Sequence, residues 1–340
     1  MKLLVILLLS TLGLSAQDAP QQIAPLGDFK LQSGETIRDC RIGYRTLGRL
    51  NEPKSNAILF PTWFTGSSAD LVRTVRDSGL IDTSRFFVIF VDALGNGVSS
   101  APSNSTKQPR LQFPRFTIRD MVESEHRLVS DVLKISHLHA VMGISMGGMQ
   151  TFEWAVAYPG FMDKAIPIVG SPRLTSYDLL LWEAEKHVIE EDAVWNKGNY
   201  DSPPPLKALA DIHDLNLTTP QYRAEHTPPN QFESYIAGVE KNGPARFDAN
   251  NWLRQLEAMI GHDVSRGFDG SMERAAKSVK ARMLVIVATQ DHMVNPAPAV
   301  EFARLLKDAP VVELTGPCGH IATGCEAAKM AGAVKRHLQQ

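Results

Sequence analysis

Little in this 340-residue sequence is in excess, and what is scarce narrows the reading first. Three cysteines are too few to build a disulfide scaffold for a chain of this length. Charge of one sign is missing: 35 basic and 37 acidic residues leave a formal net charge of −2. No electrostatic excess exists to hold a phosphate backbone or an anionic membrane surface. Past residue 14 no apolar run approaches the roughly 20 residues of a membrane span. With 44% hydrophobic and 21% charged residues, 24 Gly and 21 Pro, the composition is that of a folded globular chain, which excludes disordered and collagen-like classes.

The apolar run that does exist opens the chain. Met1-Lys2 precedes a stretch from Leu3 to Leu14, followed by Ser15-Ala16-Gln17. A short basic start, about a dozen apolar residues and a small-residue exit describe a secretory signal peptide. Residues 1–16 are therefore expected to be removed after Ala16, leaving a periplasmic or secreted protein with no membrane insertion. An uncleaved anchor or a buried strand is the competing reading. Export makes the cysteines readable: an oxidising compartment permits a Cys318–Cys325 bridge, while buried free thiols remain the alternative because spacing alone does not show geometry. Asn104-Ser105-Thr106 and Asn216-Leu217-Thr218 match the glycosylation pattern, which matters only in a eukaryotic secretory pathway.

The rest of the chain alternates. Residues 17–28 are rich in Pro and Gln and read as a poorly ordered leader. Apolar residues flanking Ser33-Gly34-Glu35 read as a hairpin. Short apolar runs follow at Ala57–Phe60, Phe86–Val91, Leu138–Gly143, Ala165–Val169, Met283–Ala288 and Val311–Leu314. Helical patterns separate them, one opened by the capping signal Thr117-Ile118-Arg119-Asp120, one over Met146 to Tyr158, one after Pro296 and one from Ala322 to His337. Continuous apolar strands alternating with helices predict an α/β fold with a mostly parallel central sheet covered by helices on both faces. The rhythm breaks at 172–271, where Pro-rich segments, helical patterns and Trp182, Trp195 and Trp252 occur. This stretch reads as a helical cap inserted between core parts 17–171 and 272–340, with a separate second domain as the alternative.

The chemistry centres on Gly143-Ile144-Ser145-Met146-Gly147, which matches G-x-S-x-G with an apolar strand before it and a helix after it. A serine on that sharp turn projects its hydroxyl from the sheet edge, and the helix N-terminus offers N–H groups to a developing oxyanion. Serine needs a base. On such a fold the acid and then the histidine follow in sequence, which selects Asp291 after one strand and His320 after the last. The backbone N–H of Met146 supplies one oxyanion donor. Phe64 is chosen for the second, with Trp63 its competitor, and both side chains would wall the acyl pocket. His137 and His139 could form a metal pair, but no further ligand completes it and solvated or core histidines are preferred. Gly95-Asn96-Gly97 lacks the continuation of a phosphate loop, and no aromatic-basic motif for nucleic acid is present. No metal or organic cofactor is called for.

The segment Gly143-Ile-Ser-Met-Gly-Gly-Met-Gln150, continuing Thr-Phe-Glu-Trp154, resembles the nucleophile segment of the homoserine O-acetyltransferases, a branch of the α/β-hydrolase fold. Thr117-Ile-Arg-Asp-Met-Val122 and Asp192-Ala-Val-Trp-Asn-Lys-Gly-Asn-Tyr200 extend the likeness, which covers most of residues 30–335 and is weakest in the cap after Tyr200. The resemblance implies an α/β-hydrolase fold, a catalytic set of Ser145, Asp291 and His320, and an acyl-serine intermediate passed to an alcohol. It also allows a homodimer formed through the cap. Two positions depart from the family. Its members carry an Asp after the catalytic His, where this chain has Ile321, and an Arg on the first cap helix, where the alignment puts Lys186. Losing a carboxylate and a bidentate guanidinium counts against recognition of a zwitterionic amino acid.

Three functions compete. The first is an exported serine esterase in which water takes the acyl group from Ser145. The second is an acyltransferase with an alcohol acceptor. The third is a binding protein on an inactive hydrolase scaffold, which the intact Ser-Asp-His set opposes. A small-molecule acyl compound is the expected substrate. Trp182 is a candidate contact for an apolar acyl group, although ordinary cap packing explains the tryptophans as well.

Overall fold

The computed structural model describes residues 19–242 and 247–340. The expected signal peptide at 1–16 lies outside them. Strands β1 (Gln22–Lys30) and β2 (Thr36–Leu47) form an antiparallel hairpin turned at Gly34, whose φ of 90° favours glycine. This corrects the expectation of a poorly ordered leader over 17–28 for residues 19–28; residues 17 and 18 lie outside the described residues. Ala24 and Leu26 are buried, and the Gln21 side chain and Ala19 carbonyl are tied to Asp92 and Arg45. Pro25 is tolerated because β1 is an edge strand.

The chain continues through β3 (Ala57–Pro61), α1 (Ser68–Ser78), β4 (Phe87–Val91), α2 (Ile118–Arg127), β5 (Leu138–Ile144), α3 (Met146–Ala157) and β6 (Met162–Ile168). The inserted stretch then supplies α4 (Ser176–Glu191), α5 (Lys207–Leu217), α6 (Pro220–His226), α7 (Phe232–Asn242) and α8 (Ala249–Ile260). The core resumes with α9 (Met272–Ser278), β7 (Arg282–Met283), β8 (Val285–Ala288), α10 (Ala297–Arg304), β9 (Val311–Leu314), α11 (Ala322–Cys325) and α12 (Ala327–Gln339). The expected last helix is thus two, broken at Glu326 (φ −110°, ψ 33°), whose carboxylate accepts the Gly316 N–H at 2.8 Å.

The sheet runs β1-β2-β4-β3-β5-β6-β8-β9, with β7 pairing β6. From β4 to β9 neighbouring strands are parallel, and β2 joins antiparallel to β4. Every residue of β3 and β8 is buried, as strands sandwiched between helix layers must be. One face buries Ile58, Phe90 and Ile286 against Leu71 of α1 and Val334 of α12. The other buries Leu59, Ile89 and Val141 against Met121 of α2 and Phe152 of α3. The inserted stretch leaves and rejoins the core at one place: Val264 N–H donates to the Pro172 carbonyl at 3.0 Å, and Arg173 pairs with Asp263. Among the described residues no helix is long and apolar enough to cross a membrane.

Three helix starts share one device. Ser67, Thr117 and Thr175 each cap a helix reciprocally with an Asp three residues on. Inside, α2 carries a liability. Glu125 is 1% exposed; one oxygen accepts the Trp154 indole N–H at 2.7 Å and the other has no partner. Burial pushes its carboxyl up to about 8. A carboxyl raised above its unfolded value of 4.5 costs the fold stability as pH climbs from there through about 8. Urea unfolding of Glu125→Gln against the unaltered protein should show the variant gaining relative stability across that window. Parallel pH profiles would mean that the carboxyl titrates in the fold as it does in the unfolded chain.

Candidate active site

Ser145 sits between β5 and α3 with φ 58° and ψ −120°, a conformation costly for any residue but glycine. The neighbouring glycines show why it is held there. A Cβ on Gly143 would lie 2.1 Å from the Gly147 carbonyl oxygen, and one on Gly147 would lie 2.7 Å from that of Pro61. Strand and helix therefore approach backbone to backbone, and the serine between them has no room to relax. Its N–H donates to the Ile168 carbonyl at 2.9 Å, which locks the turn to β6.

The parallel sheet brings the other two residues to the same end. Asp291 follows β8 and His320 follows β9, so both lie beyond the carboxyl ends of their strands, beside Ser145. His320 Nε2 is 2.9 Å from Ser145 Oγ, and its Nδ1 is 2.7 Å from Asp291 Oδ2. All three are buried to within 9% exposure. Asp291 Oδ1 accepts the N–H groups of Met293 and Val294 at 2.8 and 2.9 Å, which fixes the carboxylate plane. With Nδ1–H given to Asp291, Nε2 is the acceptor for the serine proton. The Cys318–Cys325 bridge, left open by spacing, is present and closes a short loop around His320.

The oxyanion side is built from two segments. Met146 is the first residue of α3, and its N–H has no partner among the described residues. In the loop after β3, Thr62 N–H donates to Val91 and Thr65 N–H to the Gln255 side chain, whereas the N–H groups of Trp63 and Phe64 have no partner among the described residues. Both remain available as the second donor. Gln150 ties the segments together, its Nε2 donating to the carbonyls of Thr62 and Met146.

A cavity of about 600 Å³ opens over Ser145 and His320, walled by Trp63, Phe64, Trp182 and Ile321. Lys186 is not brought there. Its ammonium is held by Glu183, 3.1 Å away on the same helix, because the cavity-facing stripe of α4 runs through Trp182 and the buried Glu185 instead. No Lys or Arg appears among the cavity's described lining residues. His137 Nε2 donates to Asp163, and His139 meets the Leu338 carbonyl; among the described residues no three ligating side chains gather as a metal site.

Sequence reasoning missed Asp178, Gln255 and His213. Asp178 is the N-cap partner of Thr175, and its other oxygen accepts the Asn295 N–H at 2.8 Å. A helix start in the inserted stretch thereby holds the loop that follows Asp291. Burial, assisted by the nearby Asp291 charge, holds the Asp178 carboxyl above the usual range, against the hydrogen bonds it accepts. The spacing Thr175-Ser-Tyr-Asp178 was readable as a cap, but its tie to residue 295 was not.

A family model of the alpha/beta hydrolase fold matches residues 58–323. An ethyl acetate hydrolase of Pseudomonas veronii is 30% identical over 333 residues, covering 94% of this chain and 95% of that protein. A homoserine O-acetyltransferase of Methanococcoides burtonii is 32% identical over 307 residues, covering 79% of this chain and 62% of that longer protein. The solved structure of the acetyl esterase MekB superposes with a TM-score of 0.85 at 28% identity, over 94% of this chain and 95% of that one.

Replacing Asp178 with alanine should lower stability by about 1 kcal/mol through the lost cap and reduce kcat about tenfold with KM little changed, because Asp291 loses its backing. Thermal melts and ester kinetics on the variant check this. A lower melting temperature with kcat intact would confine Asp178 to capping.

Proposed function

The chain belongs to the α/β-hydrolase family, in the branch that holds esterases and homoserine O-acetyltransferases, and from that premise we propose that it is an exported serine esterase of small acyl esters. One observation carries the reading: the hydrogen-bonded chain Ser145–His320–Asp291, set on a strained turn at the floor of an apolar cavity.

The chemistry follows from that geometry. Ser145 Oγ adds to the ester carbonyl carbon while its proton passes to His320 Nε2. The carbonyl oxygen becomes an oxyanion, met by Met146 N–H and by Phe64 or Trp63 N–H. As the tetrahedral adduct collapses, the C–O bond to the alcohol breaks and His320 returns its proton to the departing oxygen. Water then attacks the acyl-serine, gives a proton to His320, and releases the carboxylic acid with Ser145 restored. Asp291 keeps the imidazole in the required tautomer and offsets its positive charge in both halves.

Hydrolysis is favoured over transfer to homoserine by the cavity's lining. Ile321 puts an apolar side chain where the family places an aspartate, Lys186 is bound to Glu183, and among the described residues no Lys or Arg lines the cavity to hold an amino-acid carboxylate. Transfer to a neutral alcohol shares every step up to the acyl-enzyme. Export is supported by the basic-apolar-small pattern of residues 1–16 and by a disulfide that suits an oxidising compartment.

The mature protein should release nitrophenol from p-nitrophenyl acetate and butyrate in water alone, and Ser145→Ala should lose about 10⁴-fold or more of that rate. A burst that stalls until an alcohol is added would replace the esterase with an acyltransferase. Absence of both turnover and fluorophosphonate labelling would remove the catalytic reading. Expression of the full chain in a Gram-negative host should yield periplasmic protein starting at Gln17; cytoplasmic protein retaining Met1 or Lys2 would overturn export.

A further inference from the structure

The cavity wall contains a second carboxylate–imidazole pair that the reaction above does not use. His213 of α5 lines the cavity, and its Nδ1 lies 2.9 Å from Oε1 of Glu185 on α4. Glu185 is fully buried, and its other oxygen accepts the Trp252 indole N–H at 3.3 Å. Both carboxylate oxygens are thus committed to donors, which sets Nδ1–H toward Glu185 and, in the neutral imidazole, leaves Nε2 as a lone-pair acceptor. No group among the described residues engages Nε2. His213 is packed among the rings of Phe64, Trp182 and Trp252 rather than beside a nucleophile. Trp182, 1% exposed and also on the cavity wall, has an indole N–H with no acceptor among the described residues, and its ring centroid is 6.4 Å from that of His213.

An unsatisfied donor and an unsatisfied acceptor on adjoining rings of an apolar cavity describe the complement of one functional group. A hydroxyl accepts from the first and donates to the second. A methylene does neither, and a carbonyl can only accept. We propose that His213, positioned by Glu185, and Trp182 form a hydroxyl-binding subsite, so that the enzyme selects esters carrying a hydroxyl group away from the scissile bond. The proposal rests on the serine-esterase reading and adds the class of substrate. Recognition is the role of the pair, because Asp291 and His320 already supply the base.

Two ester pairs separate the hydroxyl's source: p-nitrophenyl butyrate against p-nitrophenyl 3-hydroxybutyrate for the acyl side, and butyl acetate against 4-hydroxybutyl acetate for the alcohol side. In at least one pair the hydroxylated member should have a kcat/KM about tenfold higher or more. His213→Phe, which keeps a ring in the cluster, should bring that ratio close to one, and Trp182→Phe should lower it part of the way. Glu185→Leu, which frees the imidazole to turn, should lower the same ratio through KM. Fluorophosphonate labelling of Ser145 reports whether each variant is folded. Butane-1,4-diol and butan-1-ol compared as inhibitors of the unaltered protein give a readout independent of any variant, with the diol expected to bind more tightly. Ratios near one in both pairs with an active enzyme, a diol no tighter than the mono-alcohol, or an unchanged ratio in a fully labelled His213→Phe would each overturn the subsite. Inertness to all four esters without labelling would instead remove the esterase reading, and the subsite with it.

Discussion

The backbone contact between β5 and α3 is the constraint on which the site depends. Gly143 and Gly147 meet with no room for a side chain, and Ser145 between them is forced to positive φ. A residue held so stores about 1–3 kcal/mol, which the surroundings must over-determine. They do: Ser145 N–H is bonded to Ile168, and a Cβ on Gly148 would lie 2.9 Å from the Ile168 carbonyl oxygen, so α3 is pressed onto β6 as well. The same pressing aims the hydroxyl beyond the sheet edge and leaves the first N–H of the helix unpaired. The projecting hydroxyl and the unpaired N–H are two results of one packing event.

Parallel topology does the rest of the assembly. Strands β5, β8 and β9 all end on one side of the sheet, so residues far apart in sequence arrive together without any direct specification of their contact. The loops are then tied down individually. Asp291 is gripped by its own following backbone, that backbone by Asp178 across the boundary with the inserted stretch, and His320 by a disulfide loop. The hydrogen bonds among these ties lie in buried or part-buried places, where breaking one leaves an unpaired group and so carries more than its nominal worth.

What could be read from the sequence divides along the same line. Elements with a strong local period were legible: the apolar strands, α2 with its cap, and α3 after the serine. The triad positions were legible because the fold places them at fixed slots after strands. Features set by a partner remote in sequence were not. Gln22–Lys30 reads as a loose Pro-rich leader until β2 lies beside it. The break at Glu326 depends on Gly316. Lys186 falls on the correct helix, but one residue's rotation of about 100° separates the Glu183 side from the cavity side held by Trp182 and Glu185. His213 carries no local mark at all, since its significance comes from a buried carboxylate 28 positions away.

A division of labour between core and inserted helices follows. The reacting groups and oxyanion donors rest on contacts that are mostly backbone to backbone, where even a methyl group is excluded. Trp182 and His213 on the cavity wall, with Glu185 behind His213, stand on α4 and α5 and meet through side chains. Hydrolysis and acyl transfer share one acyl-enzyme, and they differ in what the cavity admits against Ser145 in the second half of the reaction. Side-chain contacts can be exchanged without disturbing the elbow, whereas the glycine contacts cannot. One core can therefore serve esterases and acetyltransferases alike, with what the cavity admits varied through side chains on the inserted helices.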